Sequence, residues 1–185
     1  MAAKSSLKNM ALCLTAVCLV CSAILAGIYA VTAEPIAAAA QKALTESISK
    51  VLPEGGELSG AQSTSAEGIS EYYVLSQDGA PAAYAVKSST NGFGGTLTLM
   101  VGVLPDGTVY NTSVLSHSET PGLGAKCTVE DSHFRTQFQG FAGELKVTKD
   151  GGDIDAITAS TITSRAFTLA VKQAVDAVKA LQTNE

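Results

Sequence analysis

Tryptophan is absent from this chain, and aromatic residues make up only 5% of its 185 positions. With no aromatic platform for a sugar, the neighbouring acids Asp153 and Asp155 do not read as a glycosidase pair. Histidine is nearly as scarce: His117 and His133 are the only two, too few for a convincing metal site. Basic residues are few once the N-terminus is set aside. Removing Lys4 and Lys8 from the 12 Lys and Arg leaves 10 against 17 acidic residues, a net charge of −7. A domain of that charge avoids nucleic acid and anionic lipid surfaces. Cys13, Cys18 and Cys21 share one apolar stretch, so only Cys127 lies beyond it and no internal disulfide can form there. Internal repeats are missing, and strands and helices do not alternate in a βαβ rhythm, which argues against a Rossmann sheet.

Charge is missing altogether from Met10 to Ala33. As a helix these 24 residues reach about 36 Å, enough to cross a hydrocarbon core roughly 30 Å thick with some tilt. Every face is apolar, unlike a helix buried on one side of a soluble core. Lys4 and Lys8 precede the run, and Glu34 and Pro35 follow it. Basic residues on the short side hold that side in the cytoplasm, so the expected organisation is a cytoplasmic N-terminus and transmembrane anchor over 1–33 and an extracytoplasmic domain over 34–185. Val31-Thr32-Ala33 also resembles a signal-peptide cleavage site. The run is longer than a usual signal core, which favours a retained single-pass anchor. Cys18-x-x-Cys21 has a redox spacing; small lipid-compatible side chains and a site shared with a partner subunit are the other readings.

The remainder predicts an α+β domain with a mostly antiparallel sheet and flanking helices. Ile36 to Val51 reads as a helix with Leu44, Ile48 and Val51 on one face, ended by Pro53, Gly55 and Gly56. Leu58 to Gly68 reads as a loop or a poorly ordered insertion. Glu71–Ser76 and Ala82–Ser88 are strand candidates around the turn Asp78-Gly79. After the bend Asn91-Gly92-Phe93-Gly94-Gly95, Thr96–Leu104 and Thr108–Ser116 form a hairpin about Pro105-Asp106-Gly107. Ser132–Phe138 suggests a short helix, and Lys146–Lys149 and Ile154–Ile157 two short strands. Ser164–Leu181 is helical, with Phe167, Val171, Ala174, Val178 and Leu181 on one stripe.

Two constellations carry chemistry. His117-Ser118-Glu119-Thr120-Pro121-Gly122-Leu123-Gly124 follows a strand and lets backbone amides approach a ligand beside one apolar side chain; an ordinary Pro-Gly turn has the same composition. The second runs from Asp155 to Ser164, with five hydroxyls between Thr158 and Ser164, just before the long helix. Helix capping needs one such hydroxyl, and a helix N-terminus also suits a phosphate.

With the Gly92-Phe93-Gly94-Gly95 bend and the N-terminal span, these segments resemble the G subunit of Rnf-type ferredoxin:NAD oxidoreductase complexes. They are more distantly similar to the C subunit of sodium-translocating NADH:quinone reductases. The resemblance implies an FMN-binding core over about 92–181, with FMN held covalently through a phosphoester. The family's Ser/Thr-Gly-Ala-Thr motif aligns with Thr158-Ala159-Ser160-Thr161, which makes Thr161 the implied acceptor; Ala159 stands for Gly and Ser160 for Ala. Thr158, Ser160, Thr163 and Ser164 would then bind the phosphate and ribityl chain. Glu119, Thr120, Gly122, Leu123 and Gly124 would line the isoalloxazine, with Leu123 against a ring face. Lys126 or Arg165 would stabilise a reduced anionic flavin, or belong to solvated surface.

An unactivated Thr hydroxyl is a poor nucleophile, and no His or Cys lies near Thr161 in sequence, which argues against self-attachment; the resemblance implies a separate flavin transferase. The resemblance therefore implies an electron-transfer subunit of a membrane-bound, ion-translocating complex, partnered by the other subunits, with no catalytic residue of its own. The alternatives are a component like the C subunit of the quinone reductases, a stand-alone extracytoplasmic FMN reductase component, and an anchored structural protein without a cofactor.

Overall fold

The computed structural model of the chain describes residues 6–183; Lys4 lies outside the described residues. The chain divides into two compact units, one up to Ala43 and one from Leu44 onward. The first helix, α1, runs from Leu7 to Val51 without a break. Its N-terminal part is exposed on all sides, and among the described residues it is the one helix long and apolar enough to cross a membrane. The sequence predicts a new helix after Pro35, yet α1 passes straight through that residue. The proline ring removes one ladder hydrogen bond and crowds the carbonyl four residues earlier. Ala-rich sequence on the C-terminal side and the apolar run on the other propagate the helix past that single defect.

The second unit is built on a five-stranded sheet: β1 (Glu57–Leu58), β2 (Ile69–Gln77), β3 (Ala80–Asn91), β4 (Thr96–Val103) and β5 (Val109–Ser116). They lie in chain order, and every neighbouring pair is antiparallel. The α+β architecture read from the sequence is thus the observed one. Strands β2 and β3 meet at Asp78-Gly79, where Asp78 has a φ of 53° and Gly79 one of 79°. The stretch from Leu58 to Gly68, read as a loop or a poorly ordered insertion, is a loop after Leu58, stitched to the edge of β2. Glu57 and Leu58 pair with Ser76 and Leu75, and Gln62 bridges Tyr72. Ser59 supplies both a backbone donor to Val74 and a side-chain acceptor from it, which a reading by composition does not register.

Both faces of the sheet are covered, which explains why β4 is apolar almost throughout. Leu97, Leu99, Val101 and Val103 face the larger core, under the C-terminal helix α3 (Thr161–Thr183). Phe167, Val171, Ala174 and Val178 of α3 are fully buried there. Phe134 in the short helix α2 (His133–Thr136) and Phe138 just after it close around Phe167, with ring centroids 5.0–5.4 Å apart. The two edge-on pairs, Phe134–Phe138 and Phe134–Phe167, each add about 0.5–1.5 kcal/mol beyond burial. Met100 points to the opposite face, into a smaller core with Ile48, Val51 and Leu52 at the end of α1.

The two short strands expected around Gly151-Gly152 do not form. Only one parallel bridge links Val147 and Ile154, and Thr148–Asp150 is a single 3-10 turn. The chain doubles back too tightly for a ladder: a Cβ on Gly152 would lie 2.3 Å from the Lys146 carbonyl. Helix α3 also begins three residues before the expected Ser164, so the hydroxyl-rich run becomes its first turn.

Where α1 ends, Asn111 Nδ2 donates to the Lys50 carbonyl at 3.0 Å, and Gly102 lies directly beneath Val51. A Cβ at position 102 would stand 1.7 Å from the Val51 carbonyl oxygen, so the sheet must move away from α1 to admit any side chain. Gly102→Ala is therefore expected to destabilise the domain by roughly 1–3 kcal/mol, read as a lowered thermal midpoint of the purified chain in detergent. An unchanged midpoint would mean that this contact does not hold the end of α1 on the sheet.

Candidate functional site

Three segments converge at one end of the larger core. The first is the Gly92–Gly95 bend between β3 and β4, closed by a bond from the Gly92 amide to the Gly95 carbonyl at 2.8 Å. The second leaves β5 at Ser116. There the His117 Nδ1 accepts from the Glu119 amide at 3.2 Å, and the Thr120 carbonyl accepts from Leu123 and Ala125 at 3.2 and 3.1 Å. The third is the turn Ile157–Ser160 that launches α3.

Glu119 joins them. Its side chain is 5% exposed. One carboxylate oxygen accepts from the Phe93 amide at 2.8 Å, and the other accepts from Thr163 Oγ1 at 2.8 Å. Space for this carboxylate exists because two neighbours lack side chains. A Cβ on Gly92 would lie 2.0 Å from Glu119 Oε1, and one on Gly124 would lie 2.5 Å from Oε2.

The start of α3 is held from inside. Ser164 Oγ donates to the Ser160 carbonyl and accepts from the Ile157 amide, both at 2.9 Å. The Ser160 amide closes the turn on the Ile157 carbonyl at 3.0 Å, and Ala159 takes a φ of 61° within it. Helix geometry leaves the amides of Thr161, Ile162 and Thr163 without intrahelical acceptors, at the positive end of the helix dipole. Thr161 is the first helical residue and is half-buried; its Oγ1 accepts from Lys149 Nζ at 3.0 Å.

Between these segments lies a groove of about 320 Å³. Of the residues expected at a site, Glu119, Thr120, Leu123, Gly124, Ser160, Thr161 and Thr163 line it. Gly122, at the apex of its loop with a φ of 76°, is outside the lining, as are exposed Thr158 and fully buried Ser164. Thr163 is 1% exposed, with its hydroxyl turned to Glu119. Arg165 is bound through two bonds, of 2.7 and 2.6 Å, to Asp150, and Lys126 is exposed away from the groove.

Sequence reasoning assigned no role to Phe93, Ile162 or Lys149. Phe93 and Ile162 stand at the groove 67% and 52% exposed, opposite Leu123 at 43%. An aromatic residue set among glycines, with no periodic partner to bury it, was the available signal for Phe93. Lys149 reaches Thr161 from a separate turn and had none. Beneath the groove, burial and the Glu119 charge push the Cys127 thiol up to about 11 against the opposing pull of Arg135. Cys127 therefore stays a protonated thiol near neutral pH and supplies no nucleophile.

A family model described as an FMN-binding domain matches residues 92–176, which include the bend, the loop and the first turns of α3. The donor set fits that cofactor. Free helix amides and Lys149 suit a phosphate, the groove hydroxyls suit a polyol, and Phe93, Leu123 and Ile162 offer apolar contact to a flat ring. Fold and site together define an FMN-binding domain preceded by a long apolar helix.

A second family model, for the RnfG N-terminal region, matches residues 1–51. Over 169 residues the chain is 37% identical to the G subunit of the proton-translocating ferredoxin:NAD(+) oxidoreductase complex of Clostridium ljungdahlii, covering 89% of this chain and 88% of that one. It is 36% identical over 166 residues to the G subunit of the ion-translocating oxidoreductase complex of Vibrio cholerae, covering 81% and 79%. The solved C subunit of the Na(+)-translocating NADH-quinone reductase of Parabacteroides distasonis is 26% identical, with a TM-score of 0.45 over 60% of this chain and 62% of that chain. The chain belongs to the G-subunit family of ion-translocating oxidoreductase complexes.

Glu119→Ala leaves the part-buried Phe93 amide and the buried Thr163 hydroxyl without their acceptor. The expected loss of stability is roughly 2–4 kcal/mol by denaturant unfolding. In a double-mutant cycle with Thr163→Val the two effects should fall short of additivity by about 1 kcal/mol. Full additivity would show that the carboxylate and the hydroxyl do not act together.

Proposed function

We propose that this chain carries FMN as a phosphoester on Thr161 and relays electrons between partner subunits of a membrane complex that couples ferredoxin oxidation and NAD reduction to ion transport. The observation that supports it most is the state of the hydroxyls around α3. Ser164 is engaged in the buried turn and Thr163 with buried Glu119, whereas Thr161 lines the groove at the head of the helix and its hydroxyl is bonded to exposed Lys149. Attachment substitutes at phosphorus: the Thr161 oxygen gains the FMN phosphoryl group of FAD, the pyrophosphate bond breaks, AMP leaves and the hydroxyl proton is released. A dedicated flavin transferase performs the step, since the side chain bonded to the Thr161 hydroxyl is an ammonium that donates to it and takes no proton.

When bound, FMN supplies one- and two-electron redox chemistry. The chain's own residues bind and shield. The amides of Thr161, Ile162 and Thr163 face the phosphate negative charge. Phe93, Leu123 and Ile162 exclude water from the ring contacts, and Glu119 keeps the Phe93 bend drawn against the loop. Ferredoxin and NAD enter through the Clostridium relative, whose complex bears those names, and so do the other subunits as partners.

The long apolar part of α1 serves as a single-pass anchor, with the flavin domain from residue 34 outside the cytoplasmic membrane. Lys8 and the sequence neighbour Lys4 support this orientation. Electrons from a cytoplasmic donor must then cross the membrane to reach the groove and return to reach NAD. That route requires a redox centre within the membrane on a partner subunit.

Co-expressed with a flavin transferase, the chain should gain the mass of FMN less one water and stay yellow after denaturation. Thr161→Ala should remove the gain, and Thr163→Ala should keep it. Peptide mapping that places FMN on Ser160 or Thr163 sinks the assignment. Orientation is tested separately, with protease added to intact spheroplasts. Digestion of the domain beyond residue 33 is expected, and a protected Thr161 peptide would put the flavin on the cytoplasmic side.

A further inference from the structure

The Thr148–Asp150 turn places two opposite charges on the first turns of α3. Asp150 accepts from Arg165 Nε at 2.7 Å and from its NH2 at 2.6 Å, which occupies the guanidinium and pins the turn to the helix. The adjacent Lys149 then meets the Thr161 hydroxyl at 3.0 Å. Among the described residues Lys149 has no carboxylate partner, so its charge is uncompensated beside a neutral oxygen. Two glycines make this placement possible. Gly151 closes the turn with a φ of 84°, and Gly152 lets the chain return within reach of the Lys146 carbonyl. The ammonium is thus delivered by a pinned scaffold to the hydroxyl of the first helical residue, which lines the groove.

Building on the attachment reading above, we infer that Lys149 is the cation that holds the FMN phosphate at Thr161 and presents this hydroxyl for phosphoryl transfer. The chemistry follows from the contact. In the free chain Thr161 Oγ1 accepts from the ammonium, which leaves the hydroxyl's own proton available to be taken. As the Thr161 oxygen bonds to phosphorus, the P–O bond to AMP breaks, AMP departs, and the hydroxyl proton is released. The non-bridging oxygens of the new diester are separated from Oγ1 by a single phosphorus atom, so the ammonium faces the diester's one negative charge. Helix amides supply hydrogen bonds there, but Lys149 supplies a full charge, and charge-assisted bonds to phosphate are about twice as strong as neutral ones. Arg165 is committed to Asp150, and Lys149 is the cation bonded to the Thr161 hydroxyl.

The test uses the whole chain purified in detergent without flavin, given FAD, Mg²⁺ and a flavin transferase, and followed by intact mass. Lys149→Met keeps the unbranched stem, one atom shorter, and removes its charge; Lys149→Arg keeps the charge. Attachment should slow at least about tenfold in Lys149→Met, while Lys149→Arg stays within about threefold of the parent, as expected for loss or retention of one charged hydrogen bond. Lys149 is exposed, so thermal midpoints should match the parent. In fully loaded protein the ³¹P resonance of the diester should move in Lys149→Met. Equal attachment rates for Lys149→Met and the parent, or an unmoved resonance, overturn the role of Lys149 while leaving attachment intact. No mass gain on Thr161 in the parent overturns the attachment reading and this inference together.

Discussion

The groove depends on one buried carboxylate. Glu119 accepts from a backbone amide of the β3–β4 bend and from a side chain on the first turn of α3, while itself belonging to the loop after β5. Three segments far apart in sequence are thereby fixed to within the length of two hydrogen bonds. Burying a carboxylate is unfavourable unless its oxygens are bonded, and both are. The same requirement accounts for Gly92 and Gly124, whose missing side chains make the room. A glutamate that looks like a binding group in the sequence thus works first as the tie that creates the groove, while still forming part of its wall.

Helix α3 carries two duties at its two ends. Its long apolar stripe, Phe167 through Val178, fastens it to β3 and β4 and makes the axis rigid. Its N-terminus projects past that packing, where free amides and an open hydroxyl meet the groove. Positioning a phosphate at the end of a well-packed helix is more exact than placing it on a loop, because the helix resists displacement along its axis. The internal bonds of Ser164 extend that rigidity backward to Ile157, so the turn before the helix inherits it.

The antiparallel hairpins, their turns and the face of α3 were legible in the sequence because each rests on local periodicity or turn chemistry. So were most of the groove residues, but through resemblance more than composition. What escaped was non-local or masked. The continuous α1 hides behind Pro35, a residue that ends helices by its own chemistry but is outweighed by its neighbours. The edge strand β1 lies in a Ser- and Gly-rich stretch whose order comes from bonds to β2. The two strands around Gly151-Gly152 are short alternations that two adjacent glycines fold too tightly to pair. Lys149 approaches Thr161 from 12 residues away through that same turn, so no spacing rule points to it.

Ala159 shows how the turn before α3 balances strain against placement. Its φ of 61° is a left-handed conformation that costs a non-glycine residue roughly 1–2 kcal/mol. A glycine there would remove the strain but would give the free chain more conformations to lose. The strain is sustained because the turn is fixed from both sides: Ser160 bonds back to Ile157, and Ser164 bonds to both. With the backbone so constrained, Ala159 stays exposed with its methyl on the groove wall beside Ser160 and Thr161. A larger side chain in that conformation would add bulk on the groove wall directly next to Thr161 and narrow the groove at the head of α3.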